Sequence, residues 1–254
     1  MAHPLIEIKD IYLNFGAVQA LNGIDCLLYE NELLAIIGPN GAGKTALINC
    51  INGFYRPHSG KILYAGHNLT KTAPHKIAQM GIARTFQNLA LYDGAPTIDN
   101  ILGGRHFQTK ENLLAQMLWF GPTLKEEMKQ LRIVEEIIDF LEIQPIRYEL
   151  VGSLPYGMRK RVELGRALAM EPKVLIVDEP MAGMNLEEKE DMARFLLDIY
   201  QLKKISIILI EHDMGLVMDI SDRVIVLDFG QKIAEGFPNE IMLNEKVIKA
   251  YLGE

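Results

Sequence analysis

Eight consecutive residues, Gly38-Pro39-Asn40-Gly41-Ala42-Gly43-Lys44-Thr45, carry the G-x-x-x-x-G-K-S/T spacing of a phosphate-binding loop. Glycines at 41 and 43 let backbone N–H groups converge on phosphate oxygens, and the N-terminus of a following helix adds its positive dipole. Lys44 contributes a formal charge, and Thr45 offers a hydroxyl to Mg2+. A second run, Val174-Leu175-Ile176-Val177-Asp178-Glu179, ends an apolar stretch in two carboxylates. In an open α/β sheet, ligands gather at the C-terminal ends of the strands, so this pair belongs beside the loop. Asp178 then suits the Mg2+ shell, and Glu179 suits orienting or deprotonating an attacking water. The chemistry expected of the set is binding and hydrolysis of a nucleoside triphosphate.

Such side chains need a strand before the loop and a helix after it. The apolar run at residues 33–37 reads as a buried strand, and residues 44–52 read as a helix with Leu47, Ile48 and Ile51 on one face and Gly53 at its C-terminal cap. Period-two runs at 5–9 and 24–29 read as edge strands leading into the buried one. A hairpin is expected around 60–66 and a further strand at 81–86. Between residues 100 and 149 the pattern turns helical, with Leu124, Met128, Leu131, Val134, Ile138 and Leu141 at three- and four-residue intervals. Three more buried strands follow at 173–177, 205–210 and 224–227, separated by helix-like segments, as a parallel α/β sheet requires. The helical section is thus inserted into an α/β core, with no internal repeat and no linker.

Composition sets the outer bounds. In 254 residues, 49% are hydrophobic and 23% charged, which excludes a disordered or fibrous chain. Basic and acidic side chains number 26 and 33, a net of -7, so no general basic field draws in nucleic acid. The first residues lack the pattern of a signal peptide, and the longest charge-free apolar runs are of strand length, so no membrane span is expected. Cys26 and Cys50 have no CxxC spacing and read as buried small hydrophobes in a reducing cytosol.

Four more segments matter by their order. Phe15, followed by Gly16, lies 23 positions before Gly38. Gln87 sits in Arg84-Thr85-Phe86-Gln87-Asn88, and His212 sits in Glu211-His212-Asp213 after the strand at 205–210. Leu154-Pro155-Tyr156-Gly157-Met158 precedes Arg159-Lys160-Arg161 and a helical pattern over 162–170. Together with the loop and the carboxylate pair, these resemble the ATP-binding cassette (ABC) transporter ATPases over essentially the whole chain. The resemblance implies an α/β P-loop NTPase core with a mostly parallel sheet, an N-terminal antiparallel β subdomain and an inserted α-helical subdomain. All would lie in one domain, 1–254, with about 1–88 and 159–254 as core and about 89–158 as helical subdomain. It also implies that residues 38–46 and Phe15 bind ATP, the latter by stacking on adenine. Thr45, Gln87 and Asp178 would serve Mg2+, and Lys44, Gln87, Glu179 and His212 would serve catalysis, His212 at the γ-phosphate. The run at 154–158 stands where the family's signature faces the partner subunit's nucleotide, and Asn185, in Ala182-Gly183-Met184-Asn185, falls in its D-loop.

The departures from the family pattern are specific. Where members commonly read LSGGQ, only Leu154 and Gly157 remain, and Pro155 supplies neither a hydroxyl nor an N–H. The Gly157 N–H and the helix N-terminus still favour an anion, so the site offered to a partner is expected to be weakened but kept. Ala46 lacks a second hydroxyl but keeps its N–H, and Asn185 keeps hydrogen bonding without charge. These variants, the long helical insert and the tail Val247-Ile248-Lys249-Ala250-Tyr251-Leu252-Gly253-Glu254 resemble one ATPase subunit of the high-affinity branched-chain amino-acid importers. Importers of urea, amides or aromatic acids look alike. The implied partners are a second ABC ATPase subunit, identical or different, transmembrane permease subunits and, indirectly, a substrate-binding protein. No nucleic acid is implied, and the implied location is the cytoplasmic face of the membrane. A nucleotide-gated cassette with little hydrolysis is the alternative, resting on Pro155 and Met158. A DNA-maintenance or translation-associated ATPase is opposed by the acidic balance, the single cassette and the lack of a coiled-coil insertion. Met117-Leu118-Trp119-Phe120 either packs among the insert helices or adds to a partner surface with residues 88–100.

Overall fold

The structure is a computed structural model that describes residues 3–87, 89–106 and 122–252. Asn88, the apolar cluster at 117–120 and the side chain of Leu124 lie outside the described residues. Two sheets form. In the first, β1 (Pro4–Phe15) and β2 (Val18–Tyr29) make an antiparallel hairpin, and β1 also pairs with β4 (Ser59–Tyr64), which pairs with β5 (His67–Asn68). The strand order is β2-β1-β4-β5. The runs at 5–9 and 24–29 are therefore not edges of the sheet that carries the loop. They are parts of two 12-residue strands, and β1 is interior to a sheet of its own. Polar residues such as Asp10 and Asn14 hide that length from a period-two reading, because register shifts in the ladder absorb them.

The second sheet has the order β10-β9-β3-β8-β7-β6. Its members are β3 (Leu33–Ile37), β6 (Ile82–Arg84), β7 (Val174–Asp178), β8 (Ser206–Ile210), β9 (Arg223–Asp228) and β10 (Gln231–Gly236). All pairs are parallel except β9 with β10. Every residue of β3, β7 and β8 is buried, which is why these strands read as unbroken apolar runs. The sequence reading had no strand at β10, whose half-exposed edge position leaves it without a hydrophobic signature.

α1 (Lys44–Ile51) follows the loop with Leu47, Ile48 and Ile51 fully buried, and Gly53 lies just past its C-cap, as expected. α2 (Pro74–Gln79) and α3 (Thr97–Leu102) are short; α4 (Pro122–Phe140), α5 (Tyr156–Leu168) and α6 (Leu186–Gln201) form the helical side. Val134, Ile138 and Leu141 join Val162, Leu164, Phe195 and Leu196 in one core. Met128 does not belong to that stripe and is 48% exposed. Gln130 takes the inner position, one helical turn before Val134, and accepts a hydrogen bond from the buried Arg105. α5 starts at Tyr156, ahead of the pattern at 162–170, because Pro155 stands at its N-cap. α7 (Met214–Ile220), α8 (Pro238–Met242) and α9 (Glu245–Leu252) complete the chain. The result is the expected α/β architecture, with a largely parallel sheet, an N-terminal antiparallel sheet and an inserted helical region.

Both cysteines are buried, and burial pushes each thiol up to about 12. Among the described residues no helix is long and apolar enough to cross a membrane.

Candidate functional site

The loop at 38–43 leaves the buried end of β3 and is braced from behind by backbone. Gly230 N–H donates to Ala42 O at 3.0 Å, and Asn22 N–H donates to Gly230 O at 2.8 Å. Gly38 has no room for a side chain, since a Cβ would collide with Leu227 O. Gly43, at φ +103, caps α1, and a Cβ there would sit 2.7 Å from Ala20 O. Lys44 is buried, and its Nζ donates to Gly38 O at 2.6 Å and Pro39 O at 3.0 Å. Burial lowers its pKa from the ordinary lysine value, against the opposing pull of Glu179 and Asp178. Thr45 is exposed at the mouth of a cleft of about 380 Å3. Residues 40–46 line that cleft together with Val18, Gln19, Ala20, Gln87 and Glu179.

The two carboxylates end β7 and face different surroundings. Asp178 is 1% exposed, and its Oδ2 accepts a hydrogen bond from Arg84 Nη2 at 2.8 Å. Arg84 Nη1 donates in turn to Asn49 Oδ1 of α1 at 2.6 Å. Asp178 Oδ1 is buried with no hydrogen-bond partner. Glu179 takes a left-handed backbone, φ +48, and its N–H donates to Ile210 O at 2.9 Å. That conformation is costly for a residue with a side chain, and such strain collects at functional sites. Gln87 Nε2 donates to Glu179 Oε2 at 2.9 Å, and His212 Nε2 lies 2.7 Å from Glu179 Oε1. The buried Glu211 accepts from Met181 N–H and His212 N–H, both at 2.9 Å, and so ties the ends of β7 and β8 together.

Three residues singled out from the sequence, Gln87, Glu179 and His212, therefore meet at one carboxylate beside the loop. Asp178 is adjacent but salt-bridged to Arg84, a partner the sequence reading missed. Arg84 ends β6 in register with Ile176, so a basic strand end beside an acidic one was the available signal. Other expected residues lie elsewhere. Phe15, 47% exposed, packs edge-on against Tyr55 at 5.1 Å and does not line the cleft. Residues 154–158 are at the start of α5, with Leu154 buried and Tyr156 exposed. Asn185 caps α6: its side chain accepts from Glu188 N–H at 2.9 Å, and Glu188 accepts from Asn185 N–H at 3.0 Å. None of the residues 154–158 or 185 lines the Lys44 cleft. A larger cleft, about 590 Å3, flanks the loop on the side of Phe229 and Lys249 but contains none of Lys44, Thr45, Asp178 and Glu179.

Comparison with known proteins gives a consistent set of relatives. Residues 21–182 match the family described as ABC transporter, and residues 231–254 match one described as branched-chain amino acid ATP-binding cassette transporter. The chain is 35% identical, over all of both chains, to the high-affinity branched-chain amino acid transport ATP-binding protein BraF of Pseudomonas aeruginosa. It is also 35% identical, over all of both chains, to LivG of Escherichia coli, which carries the same description. Among solved structures it resembles a nucleotide-free ATP-binding cassette from an ABC transporter, with a TM-score of 0.86 and 30% identity over 99% of this chain and 100% of that one. An ADP conformation of such a cassette matches with the same TM-score, identity and coverage.

Proposed function

The chain belongs to the ABC transporter family, in its ATP-binding subunits, and from that premise we propose that it hydrolyses ATP to drive import of branched-chain or related amino acids through separate membrane subunits. The observation that carries the hydrolytic reading is the carboxylate of Glu179, held by Gln87 and His212 at the rim of the cleft that contains Lys44 and Thr45. The solute class rests on the two full-length relatives and on the match of residues 231–254.

In this reading the backbone of Gly41, Ala42 and Gly43 and the N-terminus of α1 hold the phosphates. Lys44 exchanges its two carbonyl acceptors for phosphate oxygens, which are the stronger partners for a buried cation. Glu179 orients and deprotonates the attacking water, and His212, 2.7 Å away, fixes that carboxylate and meets the γ-phosphate. The donor set fits Mg2+: Asp178 Oδ1 is a buried oxygen lacking a partner, and Thr45, which carries a hydroxyl, lines the cleft. Gln87 is the third residue we assign to it. When bound, the metal neutralises phosphate charge. Phe15 with Tyr55 forms the exposed aromatic surface for adenine.

Residues 154–158 and Asn185 are assigned to a partner cassette's nucleotide rather than to the chain's own, in keeping with their absence from the lining of the Lys44 cleft. We assign about 89–158 to a helical subdomain and the rest to the core. The chain would then work at the cytoplasmic face of the membrane, peripherally, with permease subunits and, through them, a substrate-binding protein. A cassette that closes on ATP with little hydrolysis is the second reading, favoured by Pro155, which offers a partner no hydroxyl at the start of α5. The sedimentation mass of Glu179→Gln, with and without ATP, tests the pairing. A doubling on ATP supports closure of two identical cassettes, and a monomer that binds ATP assigns the partner role to a second ATPase subunit. A chain that binds no ATP overturns the proposal.

A further inference from the structure

Gln87 reaches Glu179 from a loop whose backbone is gripped by α5. Phe86 N–H donates to Glu163 Oε1 at 3.1 Å, while Lys160 Nζ donates to Phe86 O at 3.2 Å and Gln87 O at 3.1 Å. Lys160 and Glu163 are one helical turn apart, so they face the same way, and their charged ends are 3.6 Å from each other with each side chain 2% exposed. A buried ion pair adds little net stability over an apolar pair of the same shape, although breaking it is costly. Stability alone therefore gives no reason for this pair. Nor is its surrounding optimised: Glu163, which the Ala90 backbone also approaches, keeps Oε2 buried without a close hydrogen-bond partner, and the residue borders a void of about 10 Å3 lined with Thr85, Val177 and Met192. What the pair does accomplish is to occupy one N–H and two carbonyls of the two residues that carry Gln87.

We propose that Lys160 and Glu163 are positioning residues for hydrolysis. They clamp the backbone at Phe86 and Gln87 so that Gln87 Nε2 holds the Glu179 carboxylate, and they join that carboxylate to the helix whose first turn holds residues 156–158. The inference rests on the hydrolytic reading of Glu179. Lys160 also lies 5.8 Å from the ring centroid of Tyr156, at the start of the helix. A shift of that helix end is thereby delivered to Gln87 through three hydrogen bonds rather than along the loop that follows.

The test uses the full chain with Lys160→Met and Glu163→Leu combined, which removes both charges and leaves none uncompensated in the core. Its ATP turnover is compared with that of the parent, of Gln87→Ala and of the triple variant, and amide hydrogen exchange is read at Phe86. The pair variant should lose about tenfold or more in kcat with KM for ATP within about twofold, as expected when a reacting group is misplaced but binding is intact. The triple variant should match Gln87→Ala, because the pair acts through Gln87. Phe86 should lose protection while the amides of β7 keep theirs. A pair variant with parental kcat, a loss that multiplies with that of Gln87→Ala, or unchanged protection at Phe86 overturns the inference. A parent chain without turnover overturns the hydrolytic reading instead, and the exchange at Phe86 then decides whether the clamp exists.

Discussion

Asp178 and Lys44 are charges kept inside the protein, and each is tolerated because a specific neighbour answers it. Arg84 neutralises Asp178 through the 2.8 Å contact, so Arg84→Met should destabilise the chain by about 3–5 kcal/mol in chemical denaturation. Adding Asp178→Asn should recover much of that loss, since the stranded charge is gone. For Lys44, burial outweighs the nearby carboxylates and brings the pKa below that of a free lysine. In the proposed role the Lys44 ammonium attracts phosphate, and it is lost as pH rises through the lowered pKa. ATP affinity should therefore fall on the alkaline side at lower pH than an ordinary lysine, near 10.4, would allow. Titrating affinity against pH for the parent and for Lys44→Ala checks this, since the variant's profile should lack that step. The run from Gly38 to Thr45 and the apolar run that ends in Asp178-Glu179 could be picked out of the sequence because each is contiguous. Arg84 could not, because it meets Asp178 only once β6 lies beside β7.

Secondary-structure elements differ in how plainly they announce themselves. β3, β7 and β8, buried on both faces, are uninterrupted apolar runs and were readable with their ends nearly in place. β10 and the outer halves of β1 and β2 carry mixed residues, because one face or edge meets solvent and bulges shift the register. The stripe of α4 was misread at Met128 for a related reason: Gln130 can be buried because Arg105, outside the helix, donates to its oxygen while its amide nitrogen donates to Glu126. Helix ends are easier to test than to read. Asn185 and Glu188 exchange hydrogen bonds at the start of α6, so Asn185→Ala should cost about 1 kcal/mol in thermal or denaturant melting. Its measurement also separates this capping role from any contact Asn185 makes with a partner's nucleotide, because Asn185→Asp or Asn185→Ser keeps the cap.

For the molecule as a whole, the residues proposed for hydrolysis gather at the C-terminal ends of the central parallel strands, and the two cysteines lie apart from them. Cys26 and Cys50, each raised to about 12, carry almost no thiolate near neutrality. Neither should react with iodoacetamide at about pH 8 until the chain is unfolded, which mass spectrometry of the labelled protein would show. The two-sheet scaffold brings the strand ends of β3, β7 and β8 to the same side, and with them Lys44, Glu179 and His212. If Glu179 is the general base, its loss separates nucleotide binding from turnover. The most direct measurement takes Mg-ATP affinity and phosphate release together, for the parent chain and for Glu179→Gln. Turnover should drop by about 10² to 10⁴-fold while affinity stays within about twofold, as removal of a general base requires. Phosphate release by Glu179→Gln at the parental rate would contradict it.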